Sequence, residues 1–371
     1  MMSAQVFPAY RRAIRLWLYA VAALVLAMVL VGGATRLTES GLSITQWQPV
    51  MGALPPLDEA QWQAEFENYQ AIPQYRELNR GMNLSAFKTI YWWEWTHRLL
   101  ARAVGVAFLL PLLWFLWRGS IGGALRRRLW LIFGLGALQG VVGWWMVASG
   151  LVERVEVSQY RLATHLVLAC VIYIATLWTA RELAERPSAP VPWRIRSAAI
   201  GLVVLVLAQI YLGALVAGLR AGSVYNTWPL IGGALLPGSA QLFFDAPVWR
   251  NFFENKLTVQ FEHRLFADVV LAAVLVHAVD VVRTVKRGPL VTGALALAAV
   301  TALQIAVGIV ALLWVVPIAL ALLHQALAMA VLTVATVHAA SVIAGPSEAR
   351  SPESLIADGA GVSLKQDDLQ R

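Results

Sequence analysis

Two stretches set a histidine and an arginine side by side next to an acid: YWWEWTHRLLARAVG at residues 91–105 and VQFEHRLFADVV at residues 259–270. In each, a long apolar run begins at that point. The chain has six histidines, His97, His165, His263, His277, His324 and His338. Four of them stand in matched places at the openings of apolar runs: His97 with His263, and His165 in RLATHLVLA with His324 in LLHQALA. Imidazole is a base, a proton carrier and a metal ligand. Two imidazoles facing each other across a four-helix bundle suit axial ligation of a haem iron. Zinc would need further ligands that the sequence does not obviously provide. A plainer account is a histidine hydrogen-bonded to a neighbouring helix near the membrane surface; it explains one such residue more readily than four in matched positions. Arg98 and Arg264 follow the first member of each pair. Arginine recognises carboxylates by paired hydrogen bonds, so both are candidate contacts for haem propionates. Snorkelling to the interface would place them equally well.

The other two histidines each lie 14 residues beyond a candidate ligand, 263 to 277 and 324 to 338. That is close to four helical turns, ~21 Å along one face, the spacing at which a second haem would stack beneath the first. The N-terminal half does not repeat the pattern, having Pro111 and Thr179 there. His277 and His338 are therefore read as polar residues toward the far end of their helices. Glu94 lies three residues before His97, one helical turn away. The matching place before His263 is Gln260, which cannot ionise, with Glu262 adjacent. A carboxylate beside a haem in a low-dielectric pocket can move protons or steady developing positive charge, which makes Glu94 the candidate catalytic residue. Its plainer role is an interface partner of Arg98 or Lys88.

The elements that must position these residues are membrane helices. The chain is 59% hydrophobic and 13% charged, where a soluble domain carries about 25% charge. Eight stretches are long enough to span, a span needing ~20 apolar residues: 14–33, 96–117, 128–149, 162–181, 197–218, 262–282, 291–314 and 319–341. The first is too long for a cleaved signal and lacks a convincing cleavage site. Arginines crowd the short segments before helix 1 and between helices 2 and 3, 4 and 5, and 6 and 7. The positive-inside rule then puts both termini in the cytoplasm, of a bacterial inner membrane. The formal charge of +8 is accounted for by this topology and argues against a nucleic-acid partner. The long loops 34–95 and 219–261 lie on the outer face, and the acids of the first could cover the reactive half.

The order of motifs repeats. Helices 1 and 5 end in LVGGATRLTESG and YLGALVAGLRAG, helices 3 and 7 contain LQGVVG and LQIAVG, and the histidine motifs fall between. The expected fold is all-α, with eight transmembrane helices as two tandem pseudo-symmetric four-helix bundles, residues 1–186 and 187–345, and a polar cytoplasmic tail at 346–371. Three helices carry Gln-x-x-x-Gly, namely Gln139/Gly143, Gln209/Gly213 and Gln304/Gly308; helix 1 has Met28/Gly32 instead. These read as packing seams rather than ligand contacts. The single cysteine, Cys170, precludes an internal disulfide.

Taken together, GGATRLTESGLSITQWQPVMGALPP, YWWEWTHRLL, NTWPLIGGALLP and FEHRLFAD resemble the haem A synthase family, in its proteobacterial and mitochondrial branch, over nearly the whole chain. The resemblance implies an oxidoreductase that converts the ring-D methyl group of haem O to a formyl group, giving haem A for cytochrome oxidase. It implies that His97 and His165 flank the substrate haem, that His263 and His324 ligate a haem b cofactor, and that Glu94 falls on the family's essential glutamate. A haem O synthase and an electron donor are the protein partners it implies, and self-association stays open. Other branches carry cysteine pairs in the outer loops; these loops have none, so electrons must enter by another route. The residues alone would also serve a di-haem b electron carrier or a haem transporter.

Overall fold

The computed structural model describes residues 8–49, 51–184 and 191–343. Residues 185–190, where the expected boundary between halves falls, and the expected tail at 346–371 lie outside them. Among the described residues, eight helices are long and apolar enough to cross a membrane: α1 (Pro8–Leu37), α2 (Leu84–Trp117), α3 (Gly123–Ala148), α4 (Gln159–Glu182), α5 (Trp193–Gly218), α6 (Lys256–Val285), α7 (Pro289–Leu313) and α8 (Ile318–Ile343). α1 packs on α2 and α4, and α3 on α2 and α4; α5 packs on α6 and α8, and α7 on α6 and α8. Each group of four thus closes in the same cyclic order. The groups meet through α1, α4, α5 and α8.

All eight helices begin earlier than the apolar runs, and α2 and α6 do so by asparagine-capped extensions. α2 starts at Leu84, capped by Asn83, whose side chain accepts from Ala86 N at 2.9 Å. Its first turns bury Phe87 and Tyr91 against Leu42, Trp62, Phe66, Tyr69 and Ile72 of the preceding loop. Aromatic packing stabilises this extension where lipid does not, and the loop's short helices at 59–70 and 73–77 form a cap over it. α6 starts at Lys256, capped by Asn255 onto Leu257 N. His97 therefore does not open its helix. It sits 13 residues in, ~20 Å below the start at 1.5 Å per residue. His165, His263 and His324 lie six, seven and six residues from their helix starts.

The seam between the groups is close-packed and joined by polar contacts. Cys170 Sγ meets Met329 Sδ at 3.8 Å, and Tyr173 Oη and Thr333 Oγ1 are 2.8 Å apart. Arg36 donates to the Ala217 carbonyl. Arg220 pairs with Glu39 at 2.6 Å and also with Glu156. Gln325 Nε2 donates to Val29 O at 2.7 Å through space left by Gly33.

Two glycines on this seam should respond differently to alanine. A Cβ at Gly218 would lie 2.8 Å from Gln159 Cα, so α5 and α4 must separate. A Cβ at Gly33 would lie 2.0 Å from Gln325 Oε1, the end of a side chain that can swing aside and lose one hydrogen bond. Overpacking costs ~1–3 kcal/mol and a hydrogen bond ~1 kcal/mol. Gly218→Ala is thus expected to lower the thermal unfolding midpoint in detergent more than Gly33→Ala; the reverse order would refute this account of the seam.

Candidate functional site

Four histidines are held by the same device, the Cε1 edge of the ring against a glycine; His338 also rests against a glycine, Gly293, but through Nδ1. A Cβ at Gly32 would lie 2.7 Å from His97 Cε1, at Gly143 2.9 Å from His165 Cε1, at Gly213 3.0 Å from His263 Cε1, and at Gly308 2.7 Å from His324 Cε1. Each imidazole projects from an even-numbered helix and rests edge-on against bare backbone of an odd-numbered one. Any side chain at those glycines would push the ring away. His97 interacts electrostatically with His165, and His263 with His324, so each four-helix group brings its own pair together. The paired rings are not hydrogen-bonded to each other. Two converging imidazoles in an apolar bundle are a donor set that fits haem iron, and no group of three or more His, Cys, Asp or Glu able to hold another metal occurs among the described residues.

The Gln-x-x-x-Gly motifs are not mere packing seams. Gln139 Nε2 lies 3.1 Å from His165 Nδ1 and donates to His165 O at 3.0 Å. Gln209 Nε2 lies 3.1 Å from His263 Nδ1 and donates to His263 O at 3.0 Å. Gln304 Nε2 reaches His324 at Nε2, 3.3 Å away. The spacing explains this: residues four apart share a helix face, so the glycine that admits the ring brings the carboxamide to it. The signal was present in the sequence as the pairing of each motif with one histidine.

Glu94 is 2% exposed and its carboxylate is fully engaged. Oε2 accepts from Ser43 Oγ and Ile44 N, both at 2.8 Å; Oε1 accepts from Arg98 Nε at 3.0 Å and Nη2 at 2.6 Å. Of the two cations weighed as its partner, Arg98 is the one it meets; Lys88 pairs with Glu59 at 3.4 Å. Arg98 also donates to the carbonyls of Ile44 and Gln46, and Arg102, one turn on, to those of Gln48 and Pro49. Together they strap residues 43–49 along α2 beside His97. Sequence reasoning did not find the contributions of Ser43, Ile44 N and Arg102, because a contact between a loop and a helix some 50 residues on leaves no periodic trace.

The second group has the same strap without the acid. Gln260 Nε2 donates to Tyr225 O at 2.8 Å, and Arg264 donates to Leu230 O and Tyr225 O at 3.2 and 3.1 Å. Arg264 Nε is buried and unpartnered, which leaves it a donor for an anion. Arg98 has less to spare. Glu262 lies beside His263 with Oε1 buried and unpartnered. In the first loop, burial pushes the Glu65 carboxyl above its ordinary range; Arg98 opposes this and Glu94 reinforces it.

His277 and His338, 4% and 3% exposed, meet each other directly, with Nε2 atoms 2.9 Å apart and ring planes at 79°. An iron held in line between two imidazoles needs about 4 Å, two bonds of ~2 Å each. The direct bond supports a polar pair over a stacked second haem.

A family model described as cytochrome oxidase assembly protein (COX15-CtaA) matches residues 15–336, a span that holds Glu94 and all four glycine-backed histidines. The protein named heme A synthase from Rhodopseudomonas palustris (strain BisA53) is 62% identical over 321 residues, covering 86% of this chain and 88% of that protein. A heme A synthase from Bradyrhizobium diazoefficiens is 61% identical over 327 residues, covering 88% and 91%. A third, from Rhodopseudomonas palustris (strain BisB5), is 57% identical over 346 residues, covering 93% and 95%.

Proposed function

Since the chain belongs to the haem A synthase family, we propose a division of labour between its two four-helix groups in oxidising the ring-D methyl group of haem O to the formyl group of haem A. The enzyme is an oxidoreductase, and replacing two methyl hydrogens by an oxygen is a four-electron oxidation. The first group, carrying His97, His165 and Glu94, takes the substrate haem. The second, carrying His263 and His324, holds haem b, which when bound supplies a one-electron redox centre. The carrying observation is the asymmetry of two otherwise like sites: both have glycine-backed histidines and an arginine strap, but only in the first is a carboxylate, Glu94, bonded into the strap, where the second has Gln260 and leaves Glu262 outside it.

Glu94 acts in this scheme chiefly through charge. All its strong acceptor positions are filled, so a proton reaches it only by displacing Ser43, Ile44 N or Arg98. A fixed, desolvated anion favours positive charge developing at the carbon attached to the macrocycle. The strap at 43–49 holds that charge in place and excludes water. Arg264, through its unpartnered Nε, is the better placed of the two arginines to bind a propionate; Arg98 does so only with its remaining Nη1 hydrogen.

Residues along α1 and α5 separated by one constant offset support the reading of 1–186 and 187–345 as two copies. Met28 and Gln209, Gly32 and Gly213, Arg36 and Ala217, and Glu39 and Arg220 are each 181 apart, and the last two pairs touch. The arginine bias of the short inter-helix segments supports a bacterial inner-membrane topology with both termini in the cytoplasm and the loop cap outside. A haem O synthase upstream and an electron donor complete the pathway.

The test is the pigment content of the purified full chain. Haem b together with haem O or haem A is expected. Haem b alone at two per chain would make the protein an electron carrier, and substoichiometric haem b a transporter.

A further inference from the structure

Three of the four glycine-backed histidines have a glutamine one turn from their glycine, within hydrogen-bond distance of the ring. The fourth does not. Helix α1 has Met28 four residues before Gly32, and no side chain is bonded to the ring of His97, which Gly32 backs; its Nδ1 is buried and unpartnered, as is Nδ1 of His324, but the other ring nitrogen of His324 meets Gln304. A histidine that gives one ring nitrogen to a metal normally engages the other with an outer partner, which fixes the ring and raises its basicity, and losing that partner costs about 10–100-fold in affinity. A thioether is at best a weak acceptor and donates nothing. In the three glutamine sites the carboxamide presents Nε2 to the ring and its oxygen is buried without a partner; turning the amide over would bring that oxygen to a ring N–H, at Gln139 and Gln209 in exchange for the bond to the histidine's carbonyl.

Resting on the assignment of the substrate haem to the first group, we propose that Gln139, Gln209 and Gln304 are positioning residues that hold their histidines as strong axial ligands, and that Met28 makes His97 the releasable one. The substrate haem must arrive as haem O and leave as haem A, whereas the cofactor haem must stay. The cofactor site has a glutamine behind both histidines. The substrate site has one behind His165 alone, an anchor on one side and a ligand that lets go on the other. Met28 is thus a determinant of exchange, outside the reacting groups.

The experiment measures haem dissociation from the full-length chain in detergent, by transfer to excess apomyoglobin, alongside the electron paramagnetic resonance g-values and midpoint potential of each haem. Met28→Gln is expected to slow release of the first-group haem about tenfold and to lower its potential, because a hydrogen-bonded imidazole is the more basic ligand. Gln209→Met is expected to speed release of the second-group haem about tenfold or more and raise its potential, with the first-group haem as internal control. Gln209→Glu, which restores an acceptor, should recover slow release. Packing alone would not move potential and release in opposite directions for the two substitutions. Unchanged release and potential in Met28→Gln, with both haems bound, would overturn the role of Met28 and leave the division of haems intact. A wild-type chain with no exchangeable haem in the first group would overturn both.

Discussion

Glu94→Gln is expected to leave both haem sites filled and to abolish haem A formation, with haem O or a partly oxidised intermediate accumulating. Glutamine keeps the volume and can still accept from Ser43 and Ile44 N, so the strap at 43–49 survives in part. It removes the charge facing Arg98, and with it the anion beside the His97 site. Charge stabilisation or proton handling of this kind contributes ~10²–10⁴-fold. Chromatography of extracted haems at matched expression reads the outcome. Glu262→Gln should cost far less, since that residue pairs with no strap. Ordinary haem A levels in Glu94→Gln would reduce Glu94 to a structural partner of Arg98.

The second large effect is spectroscopic. On the proposed ligation, His263→Ala or His324→Ala is expected to remove a permanent low-spin haem b signal, because each would take away one of two axial ligands and the glycine behind it, Gly213 or Gly308, offers no substitute. His277→Ala and His338→Ala should leave that signal nearly intact. Those rings bond to each other at 2.9 Å, and truncating one orphans a buried partner, which costs ~1–3 kcal/mol of stability. The two pairs therefore separate by readout: absorbance for the first, unfolding temperature for the second. A full bis-histidine spectrum in both His263→Ala and His324→Ala would remove these residues from the haem site.

Much of this was legible from the chain alone. Eight apolar runs fixed the number of helices, because lipid forces every backbone polar group into helical bonds. The matched places of His97, His165, His263 and His324 survived as matched glycine-backed rings. Two things were hidden. Helix ends at α2 and α6 were misplaced, since their extensions are stabilised by asparagine caps and by aromatic packing onto loops, neither of which lengthens an apolar run. The glutamines were taken for packing elements, since a motif on one helix says nothing of the side chain it meets on another. The burial of Glu94 was likewise beyond pattern, depending on Ser43 and Ile44 from a separate segment.

The constant offset between contacting residues bears on how such a molecule could have arisen. In a symmetric dimer of identical chains, a residue on the two-fold axis faces its own copy. Arg36 and Ala217, and Glu39 and Arg220, would be such self-facing positions if the two halves descend from one unit. Identical subunits would then set glutamate against glutamate or arginine against arginine at the place now filled by Glu39 and Arg220, and like charges so close repel. Joining the copies in one polypeptide lifts that restriction. Each side of the axis can change alone, and here opposite charges occupy it. On that descent, the contact would be one in which either half prefers the other to a second copy of itself.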